Sequence, residues 1–435
     1  MTEGPAGAGA GRHIQVPVLT RVEGEGALDL VISGDRIERL QLRIFEPPRL
    51  FEKLLEGRPW HEVPDIVARI CGICPVAYQV TAVQAIEAAF GIEPDPMVRD
   101  WRRLMYCGEW IESHALHLHL LAAPDFLGCD SVVELAGRQP GLVERGLRLQ
   151  ALGNRLLALL GGRAVHPVSL RPGGFSHYPA AAELAALRQA FAQALPAARD
   201  LVRWAATLEL PEDEQDFTCV ALRHPHAYAI EQGDILASTG LECPVADYEH
   251  HFTETQVPHS TALHSHLQGE PYLVGPLARL NLNRDRLPPA LVGLLAEAGL
   301  HLPSRNMFHS IVARAVEICL AMQEAIRLMD RVRPVAGVRV QPRAGTGIAC
   351  TEAPRGILYH RYRFDARGRV EVARITPPTS QNQARMEADA RRSLERLGLD
   401  QPDERLRRRA EQVIRNYDPC ISCATHFLRL RVERR

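Results

Sequence analysis

Arg69-Ile70-Cys71-Gly72-Ile73-Cys74-Pro75, near one end of the chain, is answered by Asp418-Pro419-Cys420-Ile421-Ser422-Cys423 near the other. Each is a CxxC element whose turn brings two sulfurs within reach of one ion, and two such turns complete a four-sulfur shell for zinc, an iron-sulfur cluster or another soft metal. Zinc ribbons usually set their pairs a few tens of residues apart in a small domain that needs the metal to fold. Here the pairs lie near opposite ends of a chain of 435 residues, long enough to bury a large core without a staple. Metal at the seam between the terminal regions therefore reads as functional, with a structural zinc site as the competing reading.

Outward from these motifs, the pattern changes along the chain. From His13 to Glu46 apolar and polar residues alternate on both sides of Ser33-Gly34-Asp35, which predicts a hairpin of half-buried strands. From Asp65 the spacing turns helical, with long apolar stripes at Leu104–Leu121, Leu142–Leu160, Ala181–Leu208 and Ile311–Met329. Between Pro211 and Pro303 the text is richer in His and Pro and reads as loops and short elements laid over the bundle. After Pro334 come strand-like stretches, including Tyr362–Phe364 and Val370–Ile375 joined through Gly368, then helices at Gln381–Leu397 and Glu404–Tyr417. The expected fold is α+β and mainly helical: a central bundle of long helices, an N-terminal β-sheet, and a C-terminal α/β region that returns to the metal site.

A formal net charge of -1 gives no electrostatic reason to expect nucleic acid or an anionic membrane as partner. Met1 to Arg12 is rich in Gly and Ala, lacks the apolar core of a signal peptide, and is expected to be a disordered tail. No later run approaches a membrane span. Ten cysteines without a disulfide framework or export signal suit a reducing cytoplasm. Cys107, Cys129, Cys219, Cys243, Cys319 and Cys350 form no local CxxC and read as small buried residues. His114, His117 and His119 share one helix, but only the first two share a face, so they read as core or hydrogen-bonded histidines rather than ligands.

Both cysteine motifs, with their flanks, resemble those of nickel-iron hydrogenase large subunits, particularly the cytoplasmic, NAD(P)-linked and sulfhydrogenase members. Further matches follow in order: Thr20-Arg21-Val22-Glu23-Gly24, Arg49-Leu50-Phe51-Glu52 with Gly57-Arg58, Gly162-Arg163 with His166-Pro167 and Gly173-Gly174, Glu352-Ala353-Pro354-Arg355-Gly356, and Pro378-Thr379 with Asn382. The resemblance covers nearly the whole chain and implies one domain over residues 13–435. Its parts are a β-rich region 13–64, a helical core 65–333 with an irregular insertion near 211–303, and a C-terminal part 334–426. Residues 427–435 resemble an extension removed by a maturation protease after nickel insertion.

The resemblance implies nickel held by Cys71, Cys74, Cys420 and Cys423. Cys74 and Cys423 would also bind an iron that carries carbon monoxide and cyanide. It makes Cys420 the first base for the proton of dihydrogen and Glu23 the next carrier. Arg355, after Pro354, would lie over the open face of the metals near a cyanide, paired with Asp418, while Thr379 would donate to the other cyanide. Glu52 and His426 resemble ligands of a magnesium site. On residue type alone, Glu23 reads equally as a strand-end carboxylate in an ion pair, Arg355 as a structural arginine, and Glu52 as a solvated helix residue.

The match has departures. Tyr78 stands where many members carry a histidine, and tyrosine donates but is a poor acceptor at neutral pH. Ser113 stands where many have an aspartate. The implied activity is reversible heterolytic cleavage of dihydrogen. Electrons would leave through an iron-sulfur small subunit and then flavin- and NAD(P)-binding subunits, because the chain has no nucleotide-binding glycine fingerprint and no spare cysteine cluster. Nickel-insertion factors would be further partners. The alternative is a metal-free or zinc-binding structural paralogue related to respiratory quinone-reductase subunits, a group that has lost the cysteine ligands.

Overall fold

The computed structural model describes residues 11–426. The tail expected over residues 1–12 lies outside them except for Gly11 and Arg12, and the extension from Phe427 lies outside them entirely. Arg12 is not tail: it opens the strand Arg12–Val16. Its guanidinium docks on the other end of the chain, donating to the carbonyls of Leu399 at 2.6 Å and Gln401 at 2.7 Å. That strand pairs antiparallel with Gly26–Ser33, which turns through Gly34 into Arg36–Ile44. The expected hairpin is present, extended to three strands.

The four long apolar stripes are the helices Pro96–Leu116, Pro140–Gly161, Ala181–Ala206 and Ser310–Met329, and they pack into one bundle. Contact between the first two is backbone to backbone: a Cβ on Gly153 would stand 2.6 Å from the Gly108 carbonyl oxygen. Helix Pro96–Leu116 continues into a π-helical turn, His117–Ala122. Across this join the three histidines are buried as expected, His114 against Glu317, His117 against the Arg415 carbonyl and His119 against the Ala115 carbonyl.

The stretch between Pro211 and Pro303 is more regular than its sequence suggested. Strands Tyr272–Leu273, Thr218–Arg223, Asp234–Ala237 and Glu242–Cys243 form a four-stranded sheet in that order, and Phe252–Gln256 pairs with Leu263–Leu267. Thr218–Arg223 is buried on both faces and so displays no period of two, and Tyr272–Leu273, only two residues long, finds its parallel partner far away in sequence. Local text could not register either fact.

The C-terminal strands Gly345–Ala353, Gly356–Phe364 and Val370–Thr376 form an antiparallel meander, followed by helices Pro378–Leu397 and Asp403–Asn416. The meander lies against helix Pro75–Phe90, which starts at the first cysteine pair, and helix Pro378–Leu397 lies against strand Arg36–Ile44. The two chain ends are thereby built into one structure. Helix Pro75–Phe90 approaches the meander so closely that a Cβ on Gly347 would fall 1.8 Å from the Ala85 carbonyl oxygen. Backbone on both sides cannot yield as a side chain would. Gly347→Ala is therefore expected to destabilise the protein by at least the ~1–3 kcal/mol typical of overpacking, read as a lowered denaturant midpoint; an unchanged midpoint would show that the strand can slide off the helix.

Candidate metal centre

The first cysteine pair sits where an extended segment becomes a helix. Pro75 takes the first helical position, where its missing N–H costs nothing. The next two amides, of Val76 and Ala77, donate to the Glu109 carboxylate at 2.6 and 3.1 Å. Cys71 Sγ accepts from the Ile73 and Cys74 amides at 3.3 and 3.2 Å, which closes the CxxC turn. In the second pair Cys420 caps the single turn Ile421–Ala424 and Cys423 lies within it. Arg49 joins the two loops, donating to the Ile70 carbonyl at 2.6 Å and also to the Ser422 carbonyl.

The result is a cluster of four buried sulfurs within 4.8 Å of one another. Cys71 and Cys420 are 3.4 Å apart, Cys74 and Cys423 3.6 Å, and Cys420 and Cys423 2.8 Å. All are free thiols. Sulfurs bound tetrahedrally at about 2.3 Å from one ion stand about 3.7 Å apart. Two of these separations match, and the third needs to open. Burial pushes the Cys420 and Cys423 thiols up. Cys71 alone is pulled down: burial opposes this, but hydrogen bonds from Cys420, Cys423 and Cys74, helped by Arg355, prevail. Four buried sulfur donors this close together fit a soft metal, which would balance their charge once they are thiolates.

Arg355 enters from the meander. Pro354 and Arg355 are the two-residue loop between strands Gly345–Ala353 and Gly356–Phe364. Gly275, at φ 114°, lets a neighbouring loop pass beneath, since a Cβ there would lie 2.8 Å from the Arg355 carbonyl oxygen. Arg279 holds the loop from behind, donating to the Ala353 and Pro354 carbonyls at 2.8 Å each while it pairs with Glu317 at 2.7 Å and Glu352 at 3.0 Å. The Arg355 guanidinium meets Asp418 twice, Nε on the backbone carbonyl at 2.6 Å and Nη2 on the carboxylate at 3.1 Å, and reaches Ser113 Oγ at 3.5 Å. Burial works against the Asp418 charge, but Arg355 prevails and holds the carboxyl below its ordinary range. The Cys420 amide donates to Thr379 Oγ1 at 3.0 Å, leaving the hydroxyl hydrogen to be donated elsewhere.

Glu23 reaches the same place by backbone pairing. It bridges to Cys420 in parallel, its carbonyl accepts from the Ile421 amide at 2.9 Å, and its carboxylate accepts from the Ser422 amide at 3.0 Å. Glu52 and His426 meet in an adjoining site. His426 Nδ1 contacts the Cys423 carbonyl at 2.6 Å, while its Nε2 is 2.7 Å from the Ile375 carbonyl and 3.7 Å from Glu52 Oε1. Glu52 Oε1 also accepts from the Ile375 amide at 2.7 Å, so a carboxylate, a carbonyl and an imidazole meet at one place.

The structure adds residues that sequence reasoning passed over. Glu109 is a carboxylate inside an apolar helical stripe, a signal present in the text. Arg279 and Arg314 are full charges with no local motif. The Ile375 carbonyl has no sequence signal, because every residue carries one.

A model of the nickel-dependent hydrogenase family matches residues 49–139 and 247–426, spanning both cysteine pairs. The chain belongs to that family. As a nickel-iron hydrogenase large subunit it is 35% identical over 421 residues to the sulfhydrogenase 2 alpha subunit of Pyrococcus furiosus, covering 96% of this chain and 100% of that one. It is 28% identical over 474 residues to the beta subunit of the NAD-reducing hydrogenase HoxS of Cupriavidus necator, with 96% and 95% covered. The crystal structure of an NAD+-reducing nickel-iron hydrogenase in the H2-reduced state aligns with a TM-score of 0.86 at 26% identity, covering 95% of this chain and 99% of that one. The nickel-iron-selenium hydrogenase of Desulfomicrobium baculatum shares the fold at a TM-score of 0.76 and 22% identity, with 95% and 100% covered.

In this hydrogenase Tyr78 is fully buried beside the cysteines, its ring 5.7 Å from that of His360 and its hydroxyl without a hydrogen-bond partner. Burial, and then the negative charge of Cys423 and its neighbours, pushes the phenol well up, so it stays protonated and can only donate. Asp418 faces two buried cations, Arg355 and, at 3.6 Å, Arg314. Its backbone φ is 57°, a conformation Asn accepts readily. Asp418→Asn thus removes charge alone, and is expected to cost about 3–5 kcal/mol in denaturant unfolding; a loss below about 1 kcal/mol would mean that another anion balances the two guanidiniums.

Proposed function

We propose that this hydrogenase splits dihydrogen heterolytically, and reversibly, at a nickel-iron pair held by Cys71, Cys74, Cys420 and Cys423. The observation that carries the proposal is the convergence of four buried sulfurs from two segments near opposite ends of the chain. Cys71 and Cys420 would be terminal on nickel, and Cys74 and Cys423 would be shared with an iron bearing carbon monoxide and cyanide. The metals, when bound, supply the Lewis acidity that polarises dihydrogen and the orbitals that accept its electrons.

The chain's own residues supply the rest. Arg355, fixed by Asp418 and by the Arg279-braced loop, offers a rigid planar cation over the site without taking a proton. The Thr379 hydroxyl and the Pro354 turn would orient the carbon monoxide and cyanide carried by the iron. Cys420 Sγ receives the proton first, and Glu23, which accepts from the Ile421 and Ser422 amides just after Cys420, takes it onward. Glu52, His426 and the Ile375 carbonyl would hold magnesium beneath the second cysteine pair.

Residues 13–435 are read as one large-subunit domain, with 427–435 as an extension removed by a maturation protease after nickel-insertion factors have acted. Among the described residues no second cysteine cluster exists to relay electrons. An iron-sulfur small subunit is therefore the expected partner. Flavin- and NAD(P)-binding subunits beyond it agree with the NAD-reducing and sulfhydrogenase relatives. No helix of the described residues is long and apolar enough to cross a membrane, and a cytoplasmic complex is the reading that goes with these partners. A zinc-bound structural paralogue would contain neither nickel nor iron. Metal analysis with infrared spectroscopy of the purified complex decides between them, since metal-bound carbon monoxide and cyanide absorb where protein does not. Zinc without those bands would overturn the proposal.

Arg355→Lys is expected to depress turnover by about 10²-fold or more with nickel and iron retained, because ammonium lacks the fixed fork that meets Asp418 twice. Unchanged turnover, or loss of nickel, would contradict a role outside the ligand shell. Glu23→Gln keeps the acceptor for the Ser422 amide and removes the acid. Hydrogen uptake and exchange with solvent deuterons should fall about 10²–10⁴-fold, while interconversion of the spin isomers of hydrogen and the metal content persist; exchange at the parent rate would send the proton by another route.

A further inference from the structure

A second convergence of metal-binding side chains lies apart from the sulfur cluster, at His259, His264 and Glu387. His259 is in the turn between strands Phe252–Gln256 and Leu263–Leu267, His264 is on the second strand, and Glu387 is on helix Pro378–Leu397. One nitrogen of each imidazole and one oxygen of Glu387 lie within 4.8 Å of one another. His259 Nε2 is 2.9 Å from Glu387 Oε1. Ligand atoms on one tetrahedral ion at about 2.0 Å stand about 3.3 Å apart, so small side-chain rotations would complete the shell.

A histidine-carboxylate ion pair accounts for His259 and Glu387, but it does not account for His264. That residue is 4% exposed, and its Nε2 is buried with no hydrogen-bond partner. It meets His259 edge-on, ring centroids 5.7 Å apart, instead of hydrogen-bonding to it. A buried polar atom left unpaired costs free energy, and burying it beside a second imidazole and a carboxylate is what a metal site requires. Glu387 is already oriented: the Leu42 amide donates to Oε1 at 2.8 Å, and Oε2 takes no hydrogen bond among the described residues. His259 also lines a surface pocket of about 540 Å³ with Ile44, Phe45 and Thr261, so one of the three ligands borders an opening to solvent.

We propose that His259, His264 and Glu387 bind one divalent transition-metal ion of the zinc class, independently of the nickel-iron centre. Two imidazoles and one carboxylate suit zinc and its first-row neighbours, and disfavour the all-oxygen preference of magnesium and calcium. The ion joins three elements: the hairpin through both histidines, helix Pro378–Leu397 through Glu387, and the N-terminal sheet through the Leu42 contact. The same helix carries Thr379 against Cys420 about 12 Å nearer its start. Bound metal therefore ties the far part of this helix to the hairpin as a structural clasp, at a distance from Thr379 that leaves the nickel-iron site assembled without it.

The test uses the purified hydrogenase complex, dialysed against a mild chelator and titrated with Co2+ as a spectroscopic stand-in for zinc. The parent is expected to take up one tight equivalent beyond its nickel and iron, with visible ligand-field bands and a raised thermal midpoint. Glu387→Gln and His264→Ala should each weaken that equivalent by at least about tenfold and abolish the thermal shift, with nickel, iron and hydrogen uptake unchanged. The amide oxygen introduced by Glu387→Gln would still accept from the Leu42 N–H, so this variant decides the matter if His264→Ala does not assemble. A parent that takes up no additional cobalt, or uptake that is the same in parent and Glu387→Gln, overturns the proposal. Nickel and iron measured on the same samples keep its failure distinct from any failure of the nickel-iron reading.

Discussion

Four sulfurs drawn from segments 349 residues apart must stay within one coordination sphere, and two loops carrying them would drift if each were anchored only to its own end. Arg49 prevents this by donating from one guanidinium to a carbonyl beside each pair, Ile70 and Ser422. Its backbone takes part as well, since the Arg49 amide donates to the Thr425 carbonyl at 2.7 Å and the Phe51 amide to the His426 carbonyl at 2.6 Å. Residues 49–51 thus act as a third strand of support between two cysteine loops that never touch in sequence.

The same problem of holding charge in place recurs at Arg355. A cation above a metal site is useful only if it neither swings away nor loses its proton, and both risks are countered by buried partners. Asp418 fixes the guanidinium directly. Arg279 fixes the loop, and its own charge is balanced by Glu317, held down to about 2 despite burial because Arg279 and His114 face it. Glu352, also buried and against Arg279, stays as high as about 7, burial outweighing the attraction. Breaking such a network by removing one member leaves a buried charge without its partner, a penalty of about 3–5 kcal/mol. The ions contribute rigidity at the site more than net stability.

Much was legible in the text. The CxxC pairs, the four helical stripes and the Gly34 turn are local patterns, and a periodicity of 3.6 or 2 declares which face is buried without reference to anything distant. The ordered motifs pointed to Glu23, Arg355 and Thr379, whose side chains meet the segment Asp418–Ser422, and to Glu52, which meets His426. The strands between Thr218 and Leu273 escaped because Thr218–Arg223 is buried on both faces and others are only two residues long, and Arg12 was assigned to the tail because the partners of its guanidinium, Leu399 and Gln401, lie at the far end of the chain.

Sequence alone therefore determined the kinds of ligand, the helical bundle and the family, since donor chemistry and amphipathic spacing are properties of short stretches. Tertiary structure alone decided which atoms meet. The Ile375 carbonyl beside His426, the Glu109 carboxylate on the amides after Pro75, the second carbonyl clasped by Arg49 and the unpaired His264 nitrogen beside Glu387 all depend on segments far apart in the chain. Backbone carbonyls and buried charges carry no motif of their own, and their partners are chosen only when the core closes and excludes the water that would otherwise have served them.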